Sequence, residues 1–135
     1  ALIDSYGKEY LEMLERCSPE PNMARVVDKM PENYIYCGLA AKILPGMSLI
    51  HSKRDARDTC LSIYFQQFGP WIQYAKSLES LGDQYLGYLR TMKHYRDECG
   101  VRMFESEYES LTADPEPNIR AMLDHVGMPF HEACV

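Results

Sequence analysis

Leu49-Ile50-His51-Ser52-Lys53-Arg54-Asp55-Ala56-Arg57-Asp58-Thr59-Cys60-Leu61-Ser62-Ile63-Tyr64-Phe65 passes from an apolar run to a cluster of charge and straight on into an amphipathic helix pattern. The apolar run reads as a strand. Lys53, Arg54 and Arg57 crowd the turn, and Ser62 falls on one face of the helix that follows. In α/β proteins such a junction holds anions, because the first N–H groups of a helix lack intrahelical partners and the helix dipole favours negative charge. The stretch therefore points to an α/β chain with an anion site, most naturally for phosphate, at the end of a strand. The same residues allow a plainer arrangement, in which Arg54 pairs with Asp58 and Arg57 lies on a solvated face.

Outward from this stretch, helix and strand patterns alternate. Leu2, Tyr6, Tyr10, Met13 and Leu14 recur at helical spacing, which predicts a helix over Leu2 to Arg16. Ser18-Pro19-Glu20-Pro21-Asn22 breaks it. Arg25 to Lys29, with Val26-Val27 at its centre, reads as a first strand, and Pro31 ends it. Glu32 to Leu44 reads as a helix stopped by Pro45-Gly46, and Met47 to Lys53 as the second strand. His51 within that strand reads as a core or sheet-end histidine.

Asp55 to Gln67 reads as the next helix, closed by Gly69-Pro70. Ser77 to Cys99 forms a long helical pattern, with Ser77 placed to cap it and Gly100 to end it. Val101 to Glu105 reads as a third strand, Glu107 to Leu111 as a short turn or helix, and Pro115 to Val126 as a last helix closed by Gly127 and Pro129. Strands separated by helices imply parallel β-α-β units. The aromatic stripes read as core.

The chain has 135 residues, enough for one domain with a real core. It is 46% hydrophobic and 25% charged, an ordinary globular balance. A net charge of −6 argues against nucleic acid as a partner, since no broad basic surface is available. No apolar run approaches the length of a membrane span. Cys17, Cys37, Cys60, Cys99 and Cys134 form no metal-ligand spacing, so no metal is expected. Cys37 and Cys60 sit among apolar residues and read as buried thiols, a pattern that suits the cytoplasm.

One ordered series of motifs carries a family resemblance. Val26-Val27-Asp28-Lys29-Met30-Pro31 with Asn33-Tyr34 comes first, then Leu44-Pro45-Gly46 and Ile50-His51. Arg54-Asp55, Arg57-Asp58-Thr59-Cys60, Ser62, Tyr64-Phe65-Gln66 and Phe68 follow. Tyr108-Glu109, Leu111, Asp114-Pro115-Glu116, Leu123 and Val126-Gly127-Met128-Pro129 complete it. From Arg25 to the end the chain resembles the sulfotransferase family, and most of all the bacterial branch often fused to tetratricopeptide repeats.

The resemblance implies a three-layer, P-loop-kinase-like α/β sandwich with a parallel sheet, here incomplete, with three visible strands; the family's first strand is missing from it and would lie between the second and third of them, leaving a gap or an unprotected edge. The exposed edge would invite a second copy or further segments of the same polypeptide. It implies transfer of a sulfonate from 3′-phosphoadenosine 5′-phosphosulfate (PAPS) to a hydroxyl or amine acceptor.

By the same resemblance Arg54 and Ser62, eight residues apart, hold the 3′-phosphate. A guanidinium grips two phosphate oxygens at once, and a serine two turns into the helix reaches the same anion. Tyr108 lines the adenine. Lys29, at the end of the first expected strand, is assigned to the reaction centre, where a cation can neutralise charge on the transferring group. Many cytosolic members carry a histidine base near this point, whereas this chain reads Lys29-Met30-Pro31.

No Gly-rich phosphate loop occurs, and the basic closing segment of the family is not seen. Residues 1–135 are therefore expected to be the central to C-terminal part of the catalytic domain, inactive by itself. Two other readings fit the same residues: a non-catalytic sulfotransferase-like nucleotide-binding or interaction module, and another P-loop-like nucleotide enzyme. Gly69 to Ser77 is a candidate wall for the acceptor.

Overall fold

The computed structural model describes residues 2–17, 25–66 and 68–135. The chain divides into two compact units, Ala1–Met47 and Ser48–Val135.

The first unit holds helix α1 (Leu2–Cys17), a 3-10 turn (Pro31–Tyr36) and helix α2 (Cys37–Ile43). α1 packs on α2 through Gly7, which is buried against the Ile43 carbonyl so closely that a Cβ would collide with it. A glycine inside a helix costs roughly 0.5–1 kcal/mol relative to alanine, and here that cost permits the close approach. The Asp28 carboxylate accepts hydrogen bonds from the Tyr10 hydroxyl and from Asn33 Nδ2, the latter at 3.3 Å. The Tyr10 phenol is pushed up to about 12, first by its bond to Asp28.

The strand expected over Arg25–Lys29 is not one: residues 25–30 are irregular and exposed, with Val27 at 87% exposure. A β-branched pair favours extended backbone, but a strand exists only with a neighbour to complete its ladder. The expected helix over Glu32–Leu44 starts as a 3-10 turn behind Pro31 and becomes α-helical only at Cys37. Cys37 is buried as expected, whereas Cys60 is only half-buried. The breaker over Ser18–Asn22 lies outside the described residues.

The second unit is built on two parallel strands, β1 (Leu49–Lys53) and β2 (Met103–Glu107). Their register runs from Leu49 opposite Met103 to Lys53 opposite Glu107. They pair directly, so no gap is left where the missing strand would lie, and among the described residues the sheet has two strands.

Helices α3 (Ala56–Phe65) and α4 (Leu78–Asp97) connect β1 to β2. Helices α5 (Tyr108–Ala113) and α6 (Pro115–Val126) follow β2. α4 lies against the face of His51 and Glu105, where His51 meets Tyr88, and it buries Leu81 and Met92. α6 lies against the opposite face, where His125 packs on Phe104 at 5.7 Å and its Nε2 donates to the Leu49 carbonyl at 3.1 Å.

The helix ends follow the local chemistry. Asp55 caps α3 by accepting from the Arg57 and Asp58 N–H groups, and Ser77 caps α4 by accepting from Ser80 N–H. α6 ends in a Schellman motif, with Gly127 left-handed at φ 69° and Met128 N–H donating to the Leu123 carbonyl at 2.9 Å. Part of the aromatic stripe expected as core is surface: Tyr64, Phe65, Phe68 and Trp71 are exposed.

Candidate functional site

The site forms where the parallel strands end. Lys53 and Glu107 are the last registered pair, so the next residues, Arg54 and Tyr108, leave the sheet side by side. Open α/β sheets place their ligands outside these carboxyl ends. The Arg54 guanidinium lies over the Tyr108 ring, 5.1 Å from its centroid. Tyr108 and Arg54 are both part exposed, which leaves the edge of the guanidinium open to solvent. A guanidinium over a ring is held by attraction to the ring face without using its N–H donors.

Two further contacts define the turn. Asp58 Oδ2 sits 3.5 Å from the Arg54 guanidinium, with side chains 42% and 58% exposed for Arg54 and Asp58. The Asp55 backbone N–H donates to Glu109 Oε1 at 2.9 Å. That N–H holds the Glu109 carboxyl below the usual carboxylate range, as the Asp58 and Arg57 groups do for Asp55. Ser62 is exposed on α3, one turn beyond Asp58, so Asp58 and Ser62 share one helical stripe, while Arg54, which precedes the Asp55 cap, meets that stripe only through Asp58. Arg57 turns back to its own Asp55 at 3.4 Å.

Of the sequence-derived residues, Arg54 and Tyr108 are in contact, and Ser62 lies exposed farther along α3. Lys29 lies in the exposed, irregular segment of the first unit, without the strand end that was to present it. The helix N-terminus itself offers less than the sequence implied. The Asp55 carboxylate already takes the Arg57 and Asp58 N–H groups at 2.9 and 3.2 Å. Two of the free N–H groups of this helix start are thereby already taken.

A second polar cluster was missed in the sequence. In mid-sheet, Glu105 faces His51, with Oε1 3.6 Å from Nδ1, and accepts from Lys53 and from Arg96, each at 3.0 Å. His51 Nε2 meets the Tyr88 hydroxyl. The His51 side chain is only 10% exposed, and its Nδ1 is buried with no hydrogen-bond partner. Burial lowers the His51 pKa against the pull of Glu105, and burial pushes Tyr88 up to about 12. Lys53 holds Glu105 in its charged form. The readable signal was the alternation of His51 and Lys53 along one strand against Glu105 and Glu107 along another, which only a parallel register brings together.

At the far end of α3, about 15 Å along the helix from its start, Tyr64, Phe65, Phe68, Ile72 and Ala75 line an open groove of about 510 Å³. Among the described residues no group of His, Cys, Asp and Glu could hold a metal ion. No helix among them is long and apolar enough to cross a membrane.

An uncharacterized protein of Aquifex aeolicus (strain VF5) is 29% identical over 134 residues, which cover 97% of this chain but 17% of that protein. The chain therefore spans about a sixth of the length of this relative. No solved structure matches it. The model of the Sulfotransferase family matches residues 4–132, nearly the whole length, and the chain belongs to that family.

Proposed function

We propose that this chain is part of an enzyme that takes a sulfonate from PAPS and passes it to a hydroxyl or amine acceptor. Arg54, Ser62 and Tyr108 hold the 3′-phosphate and adenine end of the donor. The observation that carries this reading is the Arg54 guanidinium over the Tyr108 ring at the ends of two parallel strands. The donor set fits the ligand: a guanidinium edge for phosphate oxygens, a hydroxyl on the helix that follows, and an aromatic ring beside the guanidinium for a base.

PAPS supplies an activated sulfonate, whose transfer leaves adenosine 3′,5′-bisphosphate. The chain's own part is to bind and orient. Arg54 moves from Asp58 to the phosphate when the doubly charged group arrives, and Ser62 donates its hydroxyl to the same group. Tyr108 holds the guanidinium by its ring face throughout. The family resemblance alone assigns Lys29 to the transferring sulfonate, where its charge would matter most as negative charge develops.

Calorimetric titration with adenosine 3′,5′-bisphosphate tests the site. Arg54→Ala should weaken binding by about 1.5–3 kcal/mol, the usual loss for a hydrogen bond to a charged group. Equal affinity in the two proteins rejects the phosphate site. In a preparation that transfers sulfonate, Lys29→Met should lower turnover by about 10²–10³-fold and leave bisphosphate affinity unchanged. Unchanged turnover makes Lys29 a surface lysine.

A further inference from the structure

We infer that Glu109 is a positioning residue of the nucleotide site, acting through the Asp55 N–H to keep Arg54 over Tyr108. The inference rests on the donor-site reading above. Helix α3 begins at the Asp55 cap, and Asp58 stands three residues on. In a capping box the acidic side chain at that third position reaches back to the N–H of the cap residue. Here it does not: Asp58 turns to Arg54. The Asp55 N–H is taken instead by Glu109 Oε1 at 2.9 Å, from the first turn of α5, 54 residues away.

One carboxylate thus completes the cap of a helix from another element. The consequence is positional. Arg54 immediately precedes Asp55, and Tyr108 immediately precedes Glu109. The bond between Asp55 and Glu109 therefore ties the two residues that follow the stacked pair. The stack itself is loosely directional, whereas a backbone N–H bonded to a carboxylate is not. Glu109 also releases Asp58 from a local role, leaving it on the same stripe as Ser62 and facing Arg54. The Asp55–Glu109 bond uses no Arg54 donor, so the guanidinium N–H groups are left to Asp58 and to an incoming phosphate.

The test uses this chain with Glu109→Ala, which removes the acceptor, and Glu109→Gln, which keeps a carbonyl oxygen for the Asp55 N–H. Adenosine 3′,5′-bisphosphate is titrated at a temperature where circular dichroism shows each protein folded. Positioning predicts that Glu109→Ala weakens binding about tenfold, near the lower end for losing a hydrogen bond to a charged group, and that Glu109→Gln stays close to wild type. If Glu109 acts only through its charge, both variants bind more tightly, because a negative charge has left the phosphate site. If it acts only on stability, both unfold earlier and bind equally well once folded. Either result overturns the inference.

A second reading needs no nucleotide. The Tyr108 ring current shifts the Arg54 side-chain proton resonances of the free protein. Glu109→Ala should move them toward their unstructured values, and Glu109→Gln should not. Should wild type fail to bind the bisphosphate, the donor-site reading falls and the ring-current measurement alone decides the role of Glu109. Identical Arg54 resonances in all three proteins would show that Glu109 positions nothing.

Discussion

Replacing Asp58 by asparagine should strengthen the binding of adenosine 3′,5′-bisphosphate, against the usual expectation that changing a residue in a site weakens it. The free protein holds Arg54 in a pair with Asp58 at 3.5 Å. Two unit charges at that distance attract by about 1.2 kcal/mol in bulk water, and exposed pairs of this kind deliver about 0.2–1 kcal/mol once entropy and salt act. Both side chains here are close to half exposed, so the lower range applies. That attraction is given up when Arg54 turns to a phosphate. Asp58 then also faces a dianion, at a repulsion of roughly 0.5 kcal/mol after screening at physiological salt. Together the two effects oppose binding by about 0.7–1.5 kcal/mol, a factor of about 3–12 in affinity.

The fold of the turn should survive the substitution, because the cap uses the backbone N–H of residue 58 and not its side chain. Calorimetry on wild type, Asp58→Asn, Arg54→Ala and the double variant closes a cycle. The Asp58→Asn gain should shrink at 1 M salt, where the screening length falls to about 3 Å. It should also shrink in the Arg54→Ala background, where only repulsion is left to relieve. Binding that weakens in Asp58→Asn, or a gain independent of Arg54, would refute the competition.

Gly7→Ala should lower the stability of the first unit by about 1–2 kcal/mol: the cost of overpacking, about 1–3 kcal/mol, exceeds the helix gain of about 0.5–1 kcal/mol. A urea midpoint that rises would show that the Ile43 carbonyl yields. Stability of the second unit should fall as pH drops below 6.5, the ordinary value from which burial lowers His51. The unfolded chain then binds a proton that the folded chain resists, so stability is fully present above 6.5 and is lost toward the folded pKa. The groups around the ring are Glu105, Lys53, Arg96 and Tyr88, and Glu105, whose own pKa is lowered chiefly by Lys53, adds a loss of the same sign below 4.5. His51→Phe should flatten the upper part of that profile in thermal melts across pH, and an unchanged slope would place the proton elsewhere.

The elements that were legible in the sequence are those whose signals are local. Asp55 and Ser77 announce helix starts because their oxygens reach N–H groups two or three residues on, and Gly127 announces an end because only glycine takes the left-handed cap easily. Val26-Val27 misled for the complementary reason: β-branched residues state a preference, and the ladder that would realise it depends on a neighbour elsewhere. Tyr64, Phe65 and Trp71 misled in the same way, since aromatic spacing does not say which face is covered.

At the site, Arg54 and Ser62 share one helix junction and could be read together. The meeting of Arg54 with Tyr108 needed a strand register; the family resemblance assigned both to one ligand but implied a strand between theirs, and spacing alone gives neither. The bond from Asp55 to Glu109 left no local trace, because both residues have ordinary roles within their own segments.

The long reach between β1 and β2 has a consequence for the order of folding. Residues such as Asp55 and Glu109 are separated by 54 positions, and closing so long an unstructured loop costs about 3.5 kcal/mol of entropy beyond a constant. The contacts between α3 and α4 are far more local and can form first, on the microsecond scale of helix and small-loop events. They shorten the effective loop before the sheet zips. A chain leaving the ribosome at about 5–20 residues per second therefore carries Arg54 for several seconds before Tyr108 is synthesised. During that interval the basic turn has a helix cap and an acidic neighbour but no aromatic platform, and the pairing of Arg54 with Tyr108 waits for β2 to be made.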